Sequence, residues 1–273
     1  MKKIIKSFDG TRINYNIKKI NNKVIILLHG LGGNSTSMKP IAKILNKNNY
    51  STITTDFRGH GLSEKPNTFE DYELHKFAKD IYEIIKKEKI TDFVLVGHCF
   101  GAAIISEFHK LYPNLSKNYI FINSYPSCPK LFKTIFKIPF KNTLIKYYNK
   151  KNYTFELKQT NYLKLNKNND LNFKRFYFDI KNTSLKSCFF IISVFSFFDN
   201  TKIFKTINQK SLIIHGQKDT FINKKYAIQL NKLIKNSELK IIPNTNHVIV
   251  LEKPELISDL IIKFLRNSEK LNC

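Results

Sequence analysis

The chain has 273 residues, 42% of them hydrophobic, which suits one large α/β domain carrying an insertion, or two domains sharing one core, and excludes disorder as an overall state. Its formal net charge of +25 raises nucleic-acid binding. The only arginines, however, are Arg12, Arg58, Arg175 and Arg266, and the joint excess of Lys, Asn and Ile reads as compositional drift, so no nucleic-acid partner is expected.

Taken in chain order, the start Met1-Lys2-Lys3-Ile4-Ile5-Lys6 is too short in its apolar part to read as a signal peptide. Ile4–Phe8 and Arg12–Ile17 flank Asp9-Gly10, a hairpin signal. Val24–Leu28 is a short apolar run of the kind found in buried parallel strands. A helical pattern from Ser37 to Lys47, a strand at Ser51–Asp56 and a one-faced helix at Leu74–Lys89 follow. Phe93–Val96 reads as a strand, Ala102–Leu111 as a helix and Tyr119–Asn123 as a strand.

From Ser127 to Lys205 the alternation stops. This stretch has no glycine, holds 13 of the 23 phenylalanines and carries +12 of the net charge, and it reads as helices with loops. The β/α alternation then resumes with Ser211–His215, Lys225–Ile234, Leu239–Ile242 and Pro254–Leu265. The expectation is a mostly parallel eight-stranded α/β sheet with helices on both faces. Residues 1–126 and 206–273 would form the core, and residues 127–205 a helical lid over the C-terminal strand ends, where open α/β sheets bind ligands. The longest apolar run, Cys188–Phe198, falls well short of the roughly 20 residues that span a bilayer. The cysteines Cys99, Cys128, Cys188 and Cys273 show neither CxxC spacing nor a dense framework, so a reducing cytoplasm is expected, with no disulfide, no metal and no cofactor.

The nine glycines all fall beside predicted strands, and five segments there carry chemistry. His29-Gly30-Leu31-Gly32-Gly33 follows the third strand, and Asp56-Phe57-Arg58-Gly59-His60-Gly61-Leu62-Ser63 the fourth. Gly97-His98-Cys99-Phe100-Gly101 lies at a strand-to-helix junction, the form of a sharp turn that exposes its central nucleophile. His215-Gly216-Gln217-Lys218-Asp219 places an acid past a core strand, and Asn246-His247 places a histidine after the last one. In this order the set resembles the α/β-hydrolase family, with cysteine where that family usually has serine.

The resemblance implies that Cys99 is the nucleophile, His247 the general base and Asp219 the residue that orients it. Backbone N–H groups of Leu31 and Phe100 would form the oxyanion hole, and Gly30, Gly32, His98 and Tyr125 would line the substrate pocket. His98 also reads as structural, since neighbours near a strand end point opposite ways. Ser124 is a further pocket candidate, and Asp199 is a rival acid that lacks the strand context. His29, Asp56, Arg58 and His60 read as supports for the loops, and His75 and His109 as solvated helix residues. Cys128 and Cys188 read as buried or lid residues.

A helix N-terminus and a protonated histidine both favour a thiolate at Cys99. The implied function is hydrolysis of an ester or thioester with an apolar acyl or aryl group through an acyl-enzyme. Acyl transfer from the same intermediate, and non-catalytic ligand binding on the same fold, stand as alternatives. The expected partner is a small-molecule acyl substrate. The basic, Phe-rich lid would also suit an acidic acyl carrier, a coenzyme A phosphate or an anionic membrane surface.

Overall fold

The computed structural model describes residues 1–128, 141–150, 159–162, 170 and 173–270. Eight strands form one sheet: β1 (Lys2–Lys6), β2 (Arg12–Lys18), β3 (Lys23–Leu28), β4 (Ser51–Thr55), β5 (Asp92–His98), β6 (Asn118–Ile122), β7 (Ser211–Gly216) and β8 (Ser237–Ile242). Their order is β1-β2-β4-β3-β5-β6-β7-β8. The Asp9-Gly10 signal closes an antiparallel β1–β2 hairpin, with Lys6 opposite Arg12. β2 meets β4 antiparallel, and every later pairing is parallel.

The pleat sorts the apolar runs onto two faces. Phe93 and Leu95 of β5 join Ile26 and Leu28 of β3 on one side; Val94 and Val96 join Ile25 and Leu27 on the other. Helices α2 (Leu74–Lys87) and α3 (Phe100–Leu111) cover the first face. Helices α1 (Lys39–Lys47) and α10 (Pro254–Lys270) cover the second, with Ile41, Leu45, Ile261 and Leu265 in one cluster.

Between β6 and β7 the described residues hold helices α4 (Lys141–Asn149), α5 (Phe173–Thr183), α6 (Leu185–Phe195) and α7 (Thr201–Phe204). Helix α8 (Lys224–Leu233) links β7 to β8, and the short α9 (Ile249–Glu252) precedes α10. The lid assigned from the sequence includes residues 129–140, 151–158, 163–169 and 171–172, which lie outside the described residues, as does Cys273. Among the described residues, no helix is long and apolar enough to cross a membrane.

One sequence expectation fails here. His109 is not solvated: it is 2% exposed, and its ring meets the hydroxyls of Tyr119 and Thr206, each at 3.2 Å. The reason is that α3 is buried on nearly all its faces, so a polar position on it must find partners inside. His75, by contrast, is half-exposed beside Glu73. Arg58 ties loops together as expected. It is fully buried, grips both carboxylate oxygens of Asp80 at 2.7 and 2.6 Å, and reaches Asp9 at 2.9 Å.

Candidate active site

The site is assembled by loops at the C-terminal ends of parallel strands. β5 ends at His98 and α3 begins at Phe100, leaving Cys99 alone to turn the chain, at φ 50° and ψ −109°. A side chain held in that region costs on the order of 1–3 kcal/mol and persists only where its surroundings enforce it. Here the Cys99 N–H donates to Ile122 O at 2.9 Å and its carbonyl accepts from Ala102 N–H at 3.0 Å. The flanking glycines serve close approach. A Cβ on Gly97 would sit 2.5 Å from the Gly101 backbone, and one on Gly101 would sit 2.5 Å from Leu28 O.

His247 sits in the loop after β8, and its Nδ1 lies 2.8 Å from Asp219 Oδ2 in the loop after β7. The Asp219 side chain is fully buried, and its other oxygen accepts from the N–H groups of Phe221 and Ile222 at 2.9 and 2.8 Å. Burial alone would raise its pKa, but His247 and these hydrogen bonds hold it below the usual carboxylate range. Burial likewise pulls His247 down. The carboxylate of Asp219 and the Cys99 sulfur outweigh that and lift it to about 10. The arrangement therefore favours an imidazolium beside the sulfur.

The backbone of His247 is held as firmly as its ring. Its carbonyl accepts from His98 Nε2 at 2.8 Å and from Asn123 Nδ2 at 2.7 Å, while its N–H donates to Asp170 Oδ1 at 2.8 Å. His98 thus does what a structural histidine does although it also lines the cavity. Burial, reinforced by the neighbouring His247 charge, drops its pKa to about 3, so it stays a neutral donor.

The loop after β3 forms the opposite wall. His29 donates from Nδ1 to Gly30 O at 2.7 Å and accepts the Phe57 N–H at Nε2, 3.1 Å away. His60 donates to Arg58 O at 3.0 Å and accepts the Gly32 N–H at 3.3 Å. Each ring satisfies both nitrogens only when neutral, and burial lowers both pKa values accordingly. The Gly33 N–H donates within the loop to Gly30 O.

These walls enclose a cavity of about 460 Å³ with Cys99 in its lining. Gly30, Leu31, Gly32, His98, Tyr125 and His247 are among the residues that line it. The Tyr125 hydroxyl lies 3.6 Å from Cys99 Sγ. Asp219 stands behind His247, and the Phe100 side chain packs into the core against Phe57, Phe77 and Phe195. Two sequence candidates are not brought to the site: Ser124 is buried outside the cavity wall, and Asp199 bridges Ser127. Cys188 lines the cavity, whereas Cys128 is buried in the core. Among the described residues, no three His, Cys, Asp or Glu side chains are grouped to hold a metal ion.

The segment between β6 and β7 completes the enclosure, and its residues are the ones the sequence reading missed. Ile180, Ile192 and Phe195 supply apolar wall. Tyr162 donates to Gly32 O at 3.0 Å and also contacts Asp179, and Asn182 donates to Gly32 O and Gly33 O at 3.1 and 2.7 Å. Burial pushes Asp179 up to about 6 against the pull of Tyr162 and Arg175. The one available signal was the scarcity of acids: this basic stretch holds only Glu156, Asp170, Asp179 and Asp199, and Asp170 and Asp179 line the cavity.

Comparisons with known proteins agree with this architecture. The 2-(acetamidomethylene)succinate hydrolase of Mesorhizobium japonicum is 33% identical over 124 residues, 45% of this chain and 44% of that protein. Protein ABHD8 of Homo sapiens is 22% identical over 246 residues, 89% of this chain and 55% of that protein. The chain thus spans about half the length of these curated relatives. Among solved structures, an esterase from Exiguobacterium antarcticum superposes with a TM-score of 0.75 at 19% identity, covering 97% of this chain and all of that one. A family model described as alpha/beta hydrolase fold matches residues 23–254, and with the strand order found here the chain belongs to the α/β-hydrolase fold family.

Proposed function

We propose that this protein hydrolyses an ester or thioester with an apolar acyl or aryl group, through a Cys99–His247–Asp219 triad and an acyl-enzyme on Cys99. The observation that carries this reading is that the strained Cys99 turn and the Asp219-held imidazole of His247 both line one apolar cavity. The Cys99 thiolate attacks the substrate carbonyl, forming an S–C bond. As the tetrahedral intermediate collapses, His247 gives its proton to the departing alkoxide or thiolate. Water then attacks the acyl-enzyme, His247 takes a proton from it, and the acid leaves as the Cys99 sulfur is released.

The oxyanion would be met by the N–H of Phe100, the first residue of α3, and by that of Leu31. Leu31 is the fitting loop donor because the Gly32 and Gly33 N–H groups are engaged by His60 Nε2 and Gly30 O. Residues 127–205 act as a lid in this reading, their α5 and α6 side chains defining the acyl pocket. The esterase among the structural neighbours, and the enol-lactonase from Burkholderia xenovorans LB400 that superposes at a TM-score of 0.73, share the fold on which this chemistry is proposed.

Steady-state hydrolysis of p-nitrophenyl esters and acyl thioesters of increasing chain length tests the proposal. Turnover that rises with apolar chain length and is lost in both Cys99→Ala and His247→Ala is expected. Turnover that survives Cys99→Ala would overturn it.

A further inference from the structure

The proposed triad accounts for Cys99, Asp219 and His247, but not for a second buried carboxylate in contact with the base loop. Asp170 belongs to the segment between β6 and β7, is 6% exposed and lies in the cavity lining. Its Oδ1 accepts from the His247 N–H at 2.8 Å. Its Oδ2 accepts from the Thr220 N–H at 3.0 Å and from Thr220 Oγ1 at 2.9 Å. One carboxylate therefore joins the loop that bears the acid to the loop that bears the base. Its own main chain is anchored by Arg175 of α5, whose Nη2 donates to Asp170 O at 2.5 Å.

We infer that Asp170 is a positioning residue that sets the place of the His247 imidazole, so that the segment between β6 and β7 supplies part of the catalytic geometry and not only pocket wall. The inference rests on the triad reading above. Both side-chain oxygens of Asp170 are used, so its loss removes bonds to two loops at once. The division of labour is specific. Asp219 is held by Phe221 and Ile222 and does not need Asp170. The His247 carbonyl is held by His98 and Asn123 of the core, whereas the bond to its N–H comes from Asp170. Without that bond the Asn246–His247 peptide keeps only the Asn123 contact at Asn246 O, at 3.2 Å, and the ring is freer to swing away from Cys99. A displacement near 1 Å costs on the order of 10²-fold in rate.

The test compares wild type, Asp170→Ala, Asp170→Asn, Thr220→Val and His247→Ala. Two readouts are used: kcat and KM with p-nitrophenyl butyrate, and the rate at which iodoacetamide alkylates Cys99 at pH 6.5, which reports the Cys99–His247 pairing without any substrate. Asp170→Ala is expected to lower kcat by about 10–100-fold, with KM moving less than about threefold, and to slow alkylation. Asp170→Asn, which keeps one acceptor oxygen and the side-chain shape, should fall between wild type and alanine and carries the test if the alanine variant does not fold. Thr220→Val removes the hydroxyl contact alone and should leave kcat within about threefold of wild type. Wild-type kcat and alkylation in both Asp170 variants, with both lost in His247→Ala, would overturn the role of Asp170 while leaving the triad standing. A raised KM with unchanged kcat would also overturn it, reducing Asp170 to pocket wall. If His247→Ala itself alkylates and turns over like wild type, the triad reading fails, and the Asp170 inference with it.

Discussion

At Cys99 the backbone and the side chain answer to different constraints. The φ of 50° is enforced by the packing of β3, β5 and α3, and tolerates serine as well as cysteine. The sulfur matters for charge, because with Asp219 it lifts His247 to about 10. An acylation that needs the imidazolium should therefore lose rate as pH rises through about 10, since that is where His247 gives up its proton. Cys99→Ser removes the sulfur contribution and requires a neutral base, so its kcat/KM should instead climb with pH through a lower value. Full pH–rate profiles of both proteins check this reversal. Asp219→Asn should cost about 10²–10⁴-fold in kcat with the fold intact, as removal of an orienting carboxylate does in hydrolytic triads. Cys99, Asp219 and His247 could be proposed from the sequence because Cys99 follows the end of β5 directly and the other two lie in the loops after β7 and β8. Asp170 was not: its partners Thr220 and His247 are 50 and 77 residues away, and no local pattern marks it.

At the level of elements, periodicity read most of the strands and helices correctly because the sheet is buried on both faces and α1 and α2 are amphipathic. It failed at His109 because α3 presents no polar face for a histidine to occupy. It was also silent on the segment between β6 and β7, whose contacts with Gly32 and Gly33 come from Tyr162 and Asn182 through space. The Cys99 turn is held by contact between elements, so Gly101→Ala should push α3 off Leu28 and lower stability by about 1–3 kcal/mol in urea denaturation, with loss of activity. Arg58 links the β1–β2 turn, the loop after β4 and α2. Asp80→Ala would leave its fully buried guanidinium short of its main partner and should cost about 3–5 kcal/mol by the same measurement.

Across the whole molecule, buried histidines set the pH range of the fold. Burial drops His29 to about 4 and His98 to about 3, and also lowers His60 and His215. As pH falls below about 6.5, the unfolded chain takes up protons that these folded rings refuse, so each costs about 1.4 kcal/mol per pH unit until it titrates. His247 works in the opposite direction. Its contribution is complete below about 6.5 and is lost as pH rises toward about 10. The thermal midpoint should therefore peak near pH 6.5 and decline on both sides as far as about pH 8, above which the lowered pKa of buried Lys65 offsets the His247 loss, and Cys99→Ala, by removing the sulfur that helps raise His247, should flatten the alkaline decline. Scanning calorimetry from pH 4 to 10 measures both slopes. The fold itself was legible from the alternation of βα units around residues 127–205; what those residues contribute to the site depends on a packing that composition does not encode.

In the proposed reaction the Cys99 sulfur carries the acyl group. Intact-mass spectrometry with peptide mapping, after brief incubation with activated esters and thioesters, tests it most directly. One acyl adduct is expected, confined to the peptide containing Cys99, formed more slowly in His247→Ala and absent in Cys99→Ala. Turnover of the same substrates with no adduct on Cys99, or with an adduct that persists in Cys99→Ala, would contradict it.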